Sequence, residues 1–212
     1  MPTPPLVYFS AASILVPALL ALWQWSKLNE LEKSLARLIF VITVIQGVAL
    51  LLAEVLKLNN MPLYHFYLVL EFNLLFNLFY YHIFRFKEQR AWVLVLALSV
   101  IVFVVNGIWV EHLTRFPSYL RALGCLLSSV LAIVFFVNKL SRVEAVPLKS
   151  DPAFWMSCGI FIYYTTNMLL FFYIRMFDDQ PELFNYIWVV HSYLNILLYT
   201  FYAIALVCRK KP

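Results

Sequence analysis

The chain is 212 residues long, 64% of them hydrophobic and only 13% charged, with a formal net charge of +5. An ordinary soluble domain is nearer half apolar and a quarter charged, and one this small has too little interior to hide so much apolar surface. A soluble enzyme, a disordered chain and a disulfide scaffold are therefore excluded; the solvent that fits a mean hydropathy of +0.83 is a lipid bilayer. Cys125, Cys158 and Cys208 are scattered and odd in number, in or beside apolar runs, and read as small packing residues rather than zinc ligands.

Seven apolar runs are long enough to cross about 30 Å of hydrocarbon, which takes roughly 20 helical residues. They cover approximately 6–25, 37–57, 62–84, 91–110, 117–138, 153–174 and 183–207. No alternating strand pattern accompanies them, and in lipid the backbone must satisfy itself within each segment. The expected fold is all-α: one domain over residues 1–212, a seven-helix transmembrane bundle joined by short links. Residues 1–5 carry no charged side chain, so the first run does not read as a cleaved signal peptide. The longest link, 139–152, contains Pro147 and Pro152 and reads as a loop.

Orientation follows from the basic residues. Lys27, Lys33 and Arg37 follow the first run; Arg85, Lys87 and Arg90 the third; Lys139, Arg142 and Lys149 the fifth; Arg209, Lys210 and Lys211 the seventh. The opposite side has Lys57, Arg115, Arg121 and Arg175, with the acidic Asp178, Asp179 and Glu182. The expected topology has the N-terminus outside and the C-terminus in the cytoplasm.

Ionisable and amide side chains inside spans are costly and are site candidates by default. At about 1.5 Å per residue, Glu54 and His65 lie some 5 Å from the outer end of their runs. Asn106 and Arg121 lie about 6 Å deep, Asn167 and His191 about 12 Å, Glu71 about 13 Å and Asn195 a turn deeper. All eight fall in the outer half or near the midplane. On the 100° helical wheel Trp188, His191, Asn195, Tyr199 and Tyr202 form one stripe, and Asn167 shares a face with Tyr163, Tyr164 and Phe171. Glu71 lines up with Tyr64 and roughly with Tyr67, while Asn73 and Asn77 point nearly opposite; Glu54 lines up with Gly47 and Thr43. Arg121, Gly124, Cys125, Ser128 and Ala132 form a small-residue face suited to close helix approach.

The expected site is an outward-facing polar and aromatic pocket of Glu54, Tyr64, His65, Tyr67, Glu71, Asn106, Arg121, Tyr163, Asn167, Trp188, His191 and Asn195. The competing reading is interhelical hydrogen bonding that fixes packing alone. His65 and Glu71 lie 240° apart on their helix, and no HExxH or ExxH pair occurs, so no metal is expected. No Walker loop, GxGxxG or GxSxG occurs; no cofactor or nucleic-acid partner is expected, and no motif names a catalytic residue.

Rhodopsins and G-protein-coupled receptors share only the helix count: the last run has no Lys for retinal, and Asn195…Tyr199 lacks the receptors' proline. Ceramidase-like and progestin-receptor-like hydrolases need intramembrane Asp and several His, which are missing. Asn59-Asn60-Met61-Pro62-Leu63-Tyr64-His65-x-Tyr67 followed by Glu71, Phe154-Trp155 with Gly159 and Tyr163, and Trp188-x-x-His191 with Asn195 form a fuller pattern. This pattern, which covers nearly the whole chain, resembles a family of small bacterial seven-helix membrane proteins similar to integral sensor modules found beside two-component systems. The resemblance implies a receptor-like role in a bacterial inner membrane, with a small-molecule or lipid ligand and a cytoplasmic or membrane signalling partner. The alternatives are a membrane enzyme acting on a lipid or isoprenoid, with Glu71 and His191 as acid and base, and a transporter built as a 3+1+3 helix repeat. A scaffold that only binds other membrane proteins is the blandest reading.

Overall fold

The computed structural model describes residues 5–86, 88–141, 148–174 and 181–208, and every regular element among them is helical. The helices form seven rods: α1 (Pro5–Lys27), α2 (Glu30–Val55), α3 (residues 61–83), α4 (Gln89–Val110), α5 (Ser118–Leu140), α6 (Pro152–Tyr173) and α7 (Pro181–Val207). Six of them are long and apolar enough to cross a membrane. The exception, α3, matches them in length but carries His65, Glu71, Asn73, Asn77 and His82.

Most rods begin a residue or two earlier than the apolar runs suggest, and the second begins seven earlier. The second starts at Glu30 rather than 37 because Asn29 and Glu32 form a capping box, each side chain accepting the other's backbone N–H at 2.9 Å. Lys33 and Arg37 therefore stand on the first turns of α2 rather than in a link. The last rod starts at Pro181 rather than 183. Lys87, Arg142, Pro147, Arg175, Asp178, Asp179, Arg209, Lys210 and Lys211 lie outside the described residues.

Packing runs in a ring, α1–α2–α3–α5–α6–α7, which closes where α7 meets α1. The fourth helix stands outside the ring against α3, and only 6% of its apolar window is covered, compared with 44% for α5 and α6. Since α3 sits between the ring and α4, it tolerates polar groups on two sides. Glu71 faces into the ring, and Asn73 Nδ2 donates to Ser99 Oγ of α4 at 2.8 Å.

The first rod is interrupted. Pro17 has no N–H to give the carbonyl of Ser13, and the helix breaks at Ile14 between the segments Pro5–Ser13 and Leu15–Gln24. The segment Leu15–Gln24 packs on both α2 and α7, whereas Pro5–Ser13 packs chiefly on α7. Tyr8 also reaches α2, donating to Glu54 Oε1 at 2.9 Å.

Three helices end in π turns: Leu51–Val55, Leu78–Ile83 and Asn106–Val110. The i→i+5 bonding winds the chain less per residue than an α-helix does. Uniform 100° steps put Glu54 over Gly47 and Thr43; the π turn brings it round toward Gln46, with which it shares a cavity wall. Two of these ends close with a left-handed residue, Lys57 (φ 53°) and Arg85 (φ 59°). Beyond them, Leu58 N–H reaches Leu52 O at 2.8 Å and Phe86 N–H reaches Tyr80 O at 3.0 Å.

The small-residue face of α5 is closely packed except at Gly124. Cys125, Ser128 and Ala132 are buried, but a Cβ on Gly124 would meet nothing within 4 Å. On Gly159 of α6 it would come within 2.6 Å of Phe201 Cβ on α7. Gly159→Ala is expected to destabilise the protein by about 1–3 kcal/mol through overpacking, whereas Gly124→Ala changes stability by less than about 0.5 kcal/mol. Unfolding of the two variants in detergent micelles measures both; equal midpoints would show that α6 and α7 do not meet there.

Candidate functional site

A cavity of about 220 Å³ lies inside the ring at the end where α1 begins. A single water needs only about 10–15 Å³ of such space, so the cavity holds several waters or a small molecule. Five ring helices and the start of α3 wall it. Val7, Tyr8, Ser10 and Ala11 come from the first segment of α1, and Ile45, Gln46, Leu50, Ala53 and Glu54 from the end of α2. Asn60, Tyr64, Tyr67 and Leu68 come from α3 and its approach, and Phe116, Pro117 and Arg121 from the start of α5. Tyr163 and Phe171 of α6 face Trp188, His191, Ser192, Asn195 and Tyr199 of α7.

The floor is an ion pair. Arg121 Nη1 donates to Glu71 Oε2, and both residues are buried. Glu71 Oε1 accepts from Tyr67 at 2.6 Å and from Tyr164 at 2.9 Å, so both oxygens meet donors. Arg121 Nη2 donates to the Tyr163 hydroxyl at 2.8 Å. The guanidinium also lies 5.6 Å from the Phe171 ring centroid and 5.9 Å from those of Tyr67 and Tyr163. A charge taken out of water is tolerated only when paired and hydrogen-bonded, and here α3, α5 and α6 all contribute partners. Beneath the pair lies a void of about 10 Å³, room for one water, bordered by Gly124, Cys125 and Ser128.

A second chain of bonds ties α6 to α7. Asn167 Nδ2 donates to the Tyr163 carbonyl at 2.8 Å, and its Oδ1 faces His191 Nδ1 at 2.7 Å. His191 Nε2 faces Asn195 Nδ2 at 3.1 Å. An amide oxygen can only accept and an amide nitrogen only donate, so His191 carries its proton on Nδ1 and both ring nitrogens are engaged. Its ring is edge-on to Trp188 (5.3 Å) and Phe171 (5.2 Å).

Eight of the twelve residues named from the sequence line the cavity: Glu54, Tyr64, Tyr67, Arg121, Tyr163, Trp188, His191 and Asn195. Glu71 and Asn167 stand one layer behind, bonded to lining residues. Glu54 sits at the mouth, half exposed, 3.5 Å from Lys57. His65 and Asn106 are elsewhere. The His65 ring lies edge-on to Phe103 of α4, and its Nε2 donates to the Arg115 carbonyl at 3.1 Å, leaving Nδ1 without a partner. Asn106 is buried on α4, outside the ring. Among the described residues no cluster of three or more His, Cys, Asp or Glu could hold a metal ion.

Sequence reasoning missed Gln46, which donates to Tyr199 at 2.9 Å; its Oε1 is buried without a partner. A glutamine inside an apolar run was the available signal. It also missed Glu111, whose carboxylate accepts from Ser118 Oγ (2.7 Å) and from the backbone N–H groups of Tyr119 and Leu120. That carboxylate caps the N-terminus of α5, which positions Arg121 one turn later and which the residue in the cap position, Pro117, cannot cap.

Compared with known protein families, curated proteins and solved structures, the chain matches none. The reading of the site therefore rests on its geometry. Stranding one member of the buried pair, in Glu71→Leu or Arg121→Leu, is expected to cost about 3–5 kcal/mol. The double variant is expected to lose less than the sum. Thermal unfolding followed by circular dichroism measures all three, and additive losses would show that the two charges do not depend on each other.

Proposed function

We propose that the protein is an integral membrane receptor-like module of seven spanning helices, N-terminus outside, that binds a small molecule in this cavity. Occupancy shifts helix packing, and a cytoplasmic or membrane partner reads the shift. The observation that carries this reading is the cavity itself, walled by aromatic rings with a few convergent polar groups. It opens at the end that the basic residues assign to the outside. Exposed aromatic residues, among them Trp109, Tyr119 and Tyr186, lie near that end, and Trp23 and Trp25 near the other, as interfacial belts do.

The geometry weighs against the other classes. For an enzyme using Glu71 and His191, both carboxylate oxygens and both imidazole nitrogens are already committed to protein partners. For a carrier, the ion pair closes the floor and only a water-sized void lies beneath it. The bacterial inner membrane remains part of the proposal through the family resemblance.

Native mass spectrometry of protein extracted gently from its own membrane tests the reading. A bound species is expected on the wild type and is expected to be lost from Ala11→Trp, which fills the cavity, and from Asn195→Leu. A wild type that carries nothing, with variants that differ only in stability, overturns it. Orientation is checked separately: a C-terminal green fluorescent protein fusion is expected to fluoresce and a C-terminal alkaline phosphatase fusion to be inactive.

A further inference from the structure

Several polar groups on the cavity wall have bonding capacity left over. Gln46 Nε2 donates to the Tyr199 hydroxyl at 2.9 Å, while its Oε1 is buried without a partner. Asn195 stands one turn before Tyr199 on α7. Its Nδ2 faces His191, and among the described residues nothing donates to its Oδ1. These two amide oxygens can only accept. On the α5 side, Arg121 uses one N–H of Nη1 on Glu71 and one of Nη2 on Tyr163, so three of its five N–H groups remain. A guanidinium can only donate. The Tyr163 and Tyr199 hydroxyls each accept one bond, which leaves their O–H groups to give. All of these residues line the same cavity.

That set selects a chemistry, because the wall offers donors and acceptors but no net charge: Glu71 neutralises Arg121. An ammonium group meets Arg121 with no carboxylate free to pair it, since Glu71 already takes three donors. A carboxylate or phosphate meets Glu71 beside the guanidinium that would hold it. A zwitterion gives up hydration at both charges, and only close pairing with opposite charge repays that. A ketone or ether leaves Gln46 Oε1 and Asn195 Oδ1 unmet, and an unmet buried acceptor is costly. A lone hydroxyl has one hydrogen for two acceptors. A primary carboxamide matches the count, with two N–H donors for the two amide oxygens and a carbonyl with two lone pairs for Arg121 and a tyrosine hydroxyl.

The rest of the ligand follows from size and lining. Val7, Ala11, Leu50 and Ala53 make the wall apolar beside Glu54 at the mouth. A cavity of about 150 Å³ takes up benzene, with six non-hydrogen atoms. By that scale the 220 Å³ here takes about nine, enough for a carboxamide on a short hydrocarbon chain.

Building on the receptor reading, we propose that the ligand is a small uncharged carboxamide with an apolar chain. Its N–H groups sit on Gln46 Oε1 and Asn195 Oδ1, and its carbonyl on Arg121. One planar group then ties α2, α5 and α7 together, so occupancy bears directly on how these helices pack.

The test uses full-length protein in lipid nanodiscs and three isomers of one formula. Hexanamide has two amide N–H groups, N-methylpentanamide one and N,N-dimethylbutanamide none. Thermal unfolding followed by tryptophan fluorescence, titrated with each, gives their affinities. Affinity is expected to fall about three- to tenfold with each N–H lost. In Gln46→Leu, hexanamide is expected to weaken by one such step while N,N-dimethylbutanamide stays as it was, and Ala11→Trp is expected to abolish binding of all three. The isomer series on the wild type decides the class even where a variant fails to fold. Isomers that bind alike, or a Gln46→Leu protein that keeps the full hexanamide preference, overturn the proposal. So does tighter binding of 1-heptanol, hexanoate or 6-aminohexanoate than of hexanamide. If the isomers fail while native spectra of the wild type carry a species that Ala11→Trp loses, the carboxamide class falls and the receptor reading stands. If no probe binds and the native spectra carry nothing, both fall.

Discussion

The structure is organised around one carboxylate and one guanidinium held away from water. Glu71 and Arg121 come from helices that are not neighbours in sequence, and α4 is displaced from the ring so that α3 can meet α5 directly. A buried ion pair is weak evidence for stability in itself, because desolvation consumes most of the attraction. Its consequence here is specificity. Three tyrosine hydroxyls complete the pair, and they reach it only when α3, α5 and α6 adopt one register. Glu111 strengthens this by fixing where α5 begins, one turn before Arg121.

The same pair divides the interior into two regimes. Toward the end where α1 begins, the ring widens into a cavity whose polar groups are aimed inward. Toward the other end, Gly159 lies against Phe201, and α6 and α7 close on each other. The His191–Asn167–Asn195 chain belongs to the open end. It engages both ring nitrogens and fixes the imidazole, so His191 presents shape and an aromatic edge to the cavity.

Much of this was legible in the sequence, for identifiable reasons. Hydropathy located the helical rods, because each is an independent, locally satisfied segment. Faces on α3 and α7 could be read because both run as regular helix through the residues concerned. The approximation failed where winding changes. The π turn at the end of α2 rotates Glu54 away from Gly47 and Thr43. The start of α2 was misplaced because a capping box of polar residues is invisible to hydropathy. His65 was assigned to the pocket by its depth and its place in the family-like pattern and Asn106 by depth, and neither says which side of α3 a residue faces or that α4 stands outside the ring. The break beside Pro17 could be anticipated from the proline, but that the freed segment packs chiefly on α7 could not.

The closure of the ring between α1 and α7 bears on how the molecule is made. Chains are synthesised from the N-terminus at about 5–20 residues per second, so the first helix emerges long before its final neighbour exists. Glu71 and Arg121 can find each other as soon as α5 is complete, sheltering the two costliest side chains early. The segment Pro5–Ser13 has to wait for the last rod, on which it chiefly packs. Until that moment the cavity wall is incomplete on the side where α1 meets α7.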